Sequence, residues 1–127
     1  FCIEHNPKEY GSDYIKTASE ALILAKKVNH PGFGINIDTG ALLLSGEGSD
    51  PIISCGNYIK HFHISQPYLS SIESMDENAH KHFAGALRKI KYKGWMSIEI
   101  NRSKDPGERN ADKIRNVIMA VKRIYGV

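Results

Sequence analysis

The feature that most constrains this chain is an alternation that occurs four times: a short apolar run, then a stretch with helical spacing. The runs are "FCIEH", "FGINID", "IKHFHIS" and "WMSIEIN". After the first comes "SDYIKTASEALILAKKVNH", with Ile15, Ala18, Ala21, Leu22 and Ala25 on one helical face and Ser12 as its expected N-cap. After the second, "TGALLLSGEGSD" reads as a Gly-rich loop, and "DPIISCGNY" as a short helix with Asp50 as N-cap and Pro51 in its first turn. After the third, "QPYLSSIES" reads as a loop, followed by a helix from about Asp76 to Lys91. The last helix is predicted from about Asn110 to Tyr125, burying Ile114, Val117, Ile118, Val121 and Ile124. Strand followed by helix, four times over, calls for a parallel sheet with right-handed crossover helices.

The strand faces choose between the two parallel architectures. Central strands of a doubly wound sheet lie under helices on both sides and read as unbroken apolar runs. These strands alternate instead. Residues i and i+2 of a strand share a face. Ile35 and Ile37 therefore oppose Gly34, Asn36 and Asp38, and Phe62 and Ile64 oppose His61, His63 and Ser65. Phe1 and Ile3 oppose Cys2 and Glu4, and Met96, Ile98 and Ile100 oppose Trp95, Ser97 and Glu99. One face is greasy; the other turns polar toward the C-terminal end of the strand. That suits a barrel with helices outside and a polar interior, whose active site gathers at the C-terminal strand ends. The expected fold is α/β: four consecutive βα units, half of a TIM (βα)8 barrel.

In such a barrel the last ionisable residue of each polar face converges on one cavity: Glu4, Asp38, His63 and Glu99. A single Glu at a strand end is more often an ion-pair partner, and a lone strand His more often a satisfied core residue. Four such residues, one per strand and all in phase, are hard to produce by chance. Three carboxylates and an imidazole repel and are costly to desolvate unless positive charge sits among them. One divalent ion meets that need, and mixed oxygen and nitrogen donors suit Mn²⁺, Co²⁺, Mg²⁺ or Zn²⁺. The only two cysteines, Cys2 and Cys55, exclude a thiolate zinc site and read as free thiols of a reducing, cytoplasmic compartment.

The segments "CIEHNP", "INIDTG", "HFHIS" and "GWMSIEI", in that order, resemble the C-terminal half of the xylose-isomerase-like barrels. That group includes sugar and sugar-phosphate isomerases, ketose 3-epimerases and an abasic-site endonuclease branch. The resemblance implies a metal held by Glu4, Asp38, His63 and Glu99. It also implies that Glu4 and Glu99 act as an acid/base pair, moving a proton on a carbon beside a carbonyl of a sugar or sugar phosphate. His61, Asn6, Gln66 and His80 are further candidates for substrate contact or for support of the ligands. His61 is expected one layer below His63, His5 in a loop, and His80 and His82 near the start of a helix, with the cavity mouth as the lesser alternative for His80.

The chain departs from the epimerase pattern at three places. Ala41 stands where a substrate-contacting His often follows the Asp, Gln66 where an acidic residue often follows the His, and Leu69 where some members carry Arg. These changes weigh against ketose 3-epimerase activity specifically. They keep a second reading open, a non-catalytic or vestigial barrel. A third reading, abasic-site hydrolysis, requires several metals. A net charge of +3 with scattered Lys and Arg argues against nucleic acid as a partner, and no apolar run approaches the roughly 20 residues of a membrane helix. Residues 1–127 are expected to be the C-terminal half of one barrel domain. The partner that completes it would be an N-terminal half in a longer chain, or a second copy.

Overall fold

The structure is a computed structural model and describes residues 1–71, 75–102 and 110–127. Four strands form one sheet: β1 (Cys2–Glu4), β2 (Gly34–Asp38), β3 (Ile59–Ile64) and β4 (Trp95–Ile98). All neighbours are parallel, in the order β1-β2-β3-β4. Each strand thus lies beside its successor with no reversal of direction across the sheet, the order of a barrel rather than of a doubly wound sheet. Five α-helices accompany the strands among the described residues: α1 (Ala18–Val28), α2 (Thr39–Ser45), α3 (Asp50–Cys55), α4 (Glu77–Lys89) and α5 (Asn110–Tyr125).

Register carries the strand faces into space. Glu4 lies opposite Asn36, Asn36 opposite His61, Asp38 opposite His63, and His63 opposite Ser97. Paired residues of a parallel sheet point the same way, so the polar residues of all four strands share the inner face. The outer face carries Ile35, Ile37, Phe62 and Ile64, all at 1% exposure or less, packed with Ala18, Ala21, Leu42, Phe83, Leu87, Val117 and Val121 from the helices. Truncating a buried side chain such as Phe62 to Ala would cost about 3–5 kcal/mol.

Local signals set most boundaries, and several differ from expectation. α1 begins at Ala18, capped by the Thr17 side chain, which accepts from the Glu20 N–H at 3.2 Å. Ser12 instead bonds Tyr14 locally, so the buried Ile15 packs from a loop ahead of the helix. "TGALLLS" is a helix and not a loop, because Asp38 caps it through Ala41 N at 2.7 Å and Gly46 closes it in the left-handed conformation. Ser49 takes the cap position of α3, one residue before the expected Asp50. Asp76 caps α4 as its position predicts. Val117, Val121 and Ile124 of α5 are buried as expected, but Ile114 and Ile118 are 51% and 41% exposed and Tyr125 completes the inner side. Phe1 is 90% exposed and stacks on Phe33 rather than entering the core. The "QPYLSSIES" loop contains a helical turn at Pro67–Leu69, and its residues 72–74 lie outside the described residues. No described helix is long and apolar enough to cross a membrane.

Candidate functional site

Glu4, Asp38 and His63 each end a strand on the inner face or lie one residue from its end, and a ligand atom from each falls within 4.8 Å of the other two. Donors about 2.0–2.2 Å from one ion lie no more than about 4.4 Å apart, so this spacing is close to that of a loaded site. Glu99 follows β4 directly and is placed by its own N–H, which donates to Ile64 O at 3.0 Å. His63 Nδ1 stands 3.4 Å from Glu4 Oε1 and 3.3 Å from Glu99 Oε2. Glu4, Asp38 and His63 thus form one mutually close group, and Glu99 joins it through His63.

Their environments differ. Asp38 is buried, and both its oxygens are engaged. Oδ1 accepts from Ala41 N at 2.7 Å and Oδ2 accepts from Ser65 Oγ at 2.6 Å. Ser65 is fixed in turn: its Oγ accepts from Gly40 N at 2.9 Å, its N–H donates to Thr39 Oγ1 at 2.8 Å, and its carbonyl accepts from that hydroxyl at 2.8 Å. Gly40 has to be glycine, since a Cβ would lie 2.7 Å from Gln66 O and from Ser65 Oγ. Glu4 and Glu99 are looser, with 35% and 41% of their side chains exposed. Burial raises the Glu4 carboxyl above its ordinary value, His63 lowers it, and Asp38 and Glu99 push it up again. Asn36 Nδ2 lies 3.1 Å from His63 Nδ1 and 3.3 Å from Nε2, against the imidazole.

The supporting candidates divide. His61 lies below His63, edge to face at 5.0 Å between ring centroids, with Nε2 2.9 Å from Ser97 Oγ. Burial and the neighbouring His63 lower its pKa. Asn6 lines the cavity next to the cluster. His80 is not at the cavity mouth: it is fully buried behind the site, where Nε2 meets Gln66 Nε2 at 2.6 Å and Nδ1 meets Tyr125 Oη at 2.7 Å. The Gln66 amide donates, so His80 accepts at Nε2 and carries its proton on Nδ1, facing the tyrosine oxygen. Burial lowers His80 to about 4. Gln66 is likewise 4% exposed and points at His80, so it is not a substrate contact in this cavity. His5 lies in the loop after β1, as expected, but is buried completely, and that burial lowers its pKa.

Sequence reasoning missed two things. Ser65 was visible on the polar face, two residues after His63, but its bond to Asp38 depends on how α2 folds back. Tyr10 and Tyr68 line the cavity of about 440 Å³ together with Glu4, Asn6, Asp38, Leu69 and Glu99. Both tyrosines come from loops, where no periodicity announces a shared wall.

The family described as "Xylose isomerase-like TIM barrel" matches residues 1–121. Among solved structures, a D-psicose 3-epimerase in the presence of D-fructose superposes with a TM-score of 0.84 at 20% identity, over 99% of this chain and 49% of that one. D-psicose 3-epimerase from Clostridium cellulolyticum H10 gives 0.82 at 18% identity, over 98% and 49%. The 3-keto-D-glucoside 4-epimerase of E. coli gives 0.73 at 17%, over 93% and 45%. At these identities the likeness is one of fold, and the chain spans about half the length of the structures it matches. No curated protein sequence matches significantly.

Proposed function

The chain belongs to the xylose isomerase-like TIM barrel family, and from that premise we propose that it carries the metal ligands and the proton-transfer pair of a sugar or sugar-phosphate isomerase or epimerase. The single observation that carries this is the cluster itself: Glu4, Asp38 and His63 with donor atoms within 4.8 Å, and Glu99 3.3 Å from the same imidazole. The donors fit one divalent ion of the Mn²⁺, Co²⁺, Mg²⁺ or Zn²⁺ kind, since oxygen and imidazole ligands suit these ions and the carboxylates need offsetting charge. When bound, such an ion polarises a carbonyl and stabilises the negative charge that develops when the neighbouring carbon loses its proton.

The protein residues divide the remaining work. Asp38 and His63, the less exposed pair, hold fixed positions. Glu4 and Glu99 approach His63 from β1 and β4, at opposite ends of the four-stranded sheet, so a substrate over the cluster lies between two carboxylates. One removes the proton from the carbon beside the carbonyl, and the other returns a proton there or to the adjacent oxygen. Their partial exposure leaves each able to turn toward a bound substrate. His61 supports His63 from below, and Asn6 offers an amide to a sugar hydroxyl.

We also propose that residues 1–127 form the C-terminal half of a barrel whose remaining strands come from further chain. About half the length of each matched structure lies beyond this chain. Among the described residues, β1 pairs only with β2 and β4 only with β3, and such open edges invite further strands. An apolar hollow beside β4, lined by Leu69, Ile98, Ile100, Ile114 and Ile118, is the surface those elements would cover. A second copy is the other occupant that geometry admits, and the mass of the full-length protein in solution tells them apart. The free thiols Cys2 and Cys55 suit a reducing cytoplasm. The hydrolase reading needs ligands for more than one metal, and His5 and His80 are buried away from this cavity.

The test is deuterium uptake. Full-length protein loaded with Mn²⁺ should exchange a carbon-bound proton of a ketose for deuterium in D₂O, read by NMR. Glu99→Gln should abolish exchange while metal remains bound. Stoichiometric metal binding with no exchange into any ketose or aldose would leave the vestigial reading standing instead.

A further inference from the structure

One polar side chain at the cluster has no role in the reaction as described. Asn36 sits on the inner face of β2, two residues before Asp38 and opposite Glu4 in the register with β1. It is 6% exposed. Its Nδ2 lies 3.1 Å from His63 Nδ1 and 3.3 Å from His63 Nε2, nearly equidistant from both. Its Oδ1 is buried with no hydrogen-bond partner among the described residues. A buried amide oxygen left unpaired is a cost that an apolar side chain of the same size would avoid.

The imidazole explains why an amide stands there. A neutral histidine carries one proton on two nitrogens, and carboxylates only accept. His63 Nδ1 stands 3.4 Å from Glu4 Oε1 and 3.3 Å from Glu99 Oε2. It can face them in two ways: by donating its proton to them, or by aiming a lone pair at a cation that they share. In the first state Nε2 is bare and takes an N–H. In the second Nε2 carries the proton and needs an acceptor, as the free nitrogen of a ligating histidine almost always does. His61 is no substitute, since its own Nε2 is 2.9 Å from Ser97 Oγ and its ring meets His63 edge to face. An amide serves both states. A half-turn about Cβ–Cγ exchanges a donating nitrogen for an accepting oxygen in nearly the same place. A carboxylate could serve only the second state, and an ammonium only the first.

We infer that Asn36 is a positioning residue for the metal site: its amide partners Nε2 of His63 in both states, donating through Nδ2 before a divalent ion binds at Nδ1 and accepting through Oδ1 afterwards; this rests on the metal-bearing cluster proposed above. The ring then keeps one orientation with and without the ion, and only a small amide turns. The unpaired oxygen is the acceptor held for the second state.

The experiment compares the full-length protein with Asn36→Leu and Asn36→Asp, at a pH above the ordinary histidine range. Calorimetric titration reads Mn²⁺ and Zn²⁺ affinity, and denaturant unfolding reads the stability of metal-free protein. Long-range ¹H–¹⁵N NMR reads which nitrogen of His63 holds the proton, its signals being those lost in His63→Gln. In the parent the proton should sit on Nδ1 without metal and on Nε2 with Zn²⁺. Asn36→Leu should bind both ions about tenfold or more weakly. Its metal-free unfolding midpoint should stay at or above the parent's, because the unpaired oxygen is gone. Asn36→Asp, which keeps the acceptor, should recover most of the lost affinity. A merely structural amide would give the reverse split, a lower midpoint in Asn36→Leu with unchanged affinity. That result would overturn this assignment and leave the metal site standing, as would a His63 proton that stays on one nitrogen with and without Zn²⁺. A parent protein that binds neither ion would overturn the metal site and the assignment together.

Discussion

Asp38 and Glu99 belong to one cluster but are held in opposite ways. Asp38 is buried and bonded through both oxygens, to the N-terminus of α2 and to Ser65. Glu99 has 41% of its side chain exposed and reaches across to the His63 ring. The first arrangement takes freedom away before any ligand arrives, which is what a fixed coordinating group needs. The second leaves a carboxylate able to rotate toward a substrate, which is what a proton carrier needs. A site can therefore be rigid and mobile at once, because rigidity is assigned residue by residue. The outer face of the same strands shows the same division of labour at larger scale: Ile37 and Phe62 are fully buried, while Glu4 and Glu99 stay partly open on the inner side.

Removing the mobile carboxylate should give the largest effect. Glu99→Gln should lower kcat for proton exchange by about a thousandfold, lower metal affinity by no more than about tenfold, and change stability by less than about 0.5 kcal/mol. Steady-state exchange, metal titration and denaturant unfolding check the three parts. Equal losses in binding and turnover would break the contrast with Asp38.

The locked side has a titratable prop. His80 is buried neutral behind Gln66, with its pKa lowered from 6.5 to about 4. A lowered histidine pKa means the unfolded chain takes up the proton first. Its contribution is therefore complete above pH 6.5 and lost as pH falls from 6.5 toward 4, on the order of 3 kcal/mol over the window. Urea unfolding at pH 7.5 and 4.5 should show a steeper acid loss in the parent than in His80→Gln. His5 and His61 are present in both proteins and cancel. Parallel pH curves would show that His80 is not what ties this corner to pH.

Smaller perturbations address the lock itself. Gly40→Ala forces a Cβ to within 2.7 Å of Gln66 O and Ser65 Oγ, and should cost about 1–3 kcal/mol of stability and weaken the metal. Ser65→Ala leaves space but removes the donor to Asp38 Oδ2. It should lower metal affinity by about tenfold, the low end for groups that orient a ligand, with Ser65→Thr restoring part of it if the extra methyl is accommodated. Calorimetric metal titration reads both. If Ser65→Ala bound metal as the parent does, α2 alone would be holding Asp38.

The amino-acid sequence by itself determined the sheet and which polar residues stand at its strand ends. Period-two alternation in "GINID" and "HFHIS" put Asp38 and His63 on one face, and the strand–helix repeat made the sheet parallel. These properties are local: a strand's two faces follow from pleating, and four strands in sequential order leave their C-terminal ends together. Helix α2 was hidden, since "TGALLLSGEGSD" has glycines at both ends and its start depends on Asp38 serving as both inner-face residue and cap. The tertiary structure alone decided the partners. Ser65 reaches Asp38 from 27 residues away, Tyr125 reaches His80 from 45, and Tyr10 meets Tyr68 from 58. Such contacts are set by how helices cross the sheet and how loops return over its end. That packing places Ile15 in the core from a loop, turns His80 away from the cavity, and brings two loop tyrosines together as one wall.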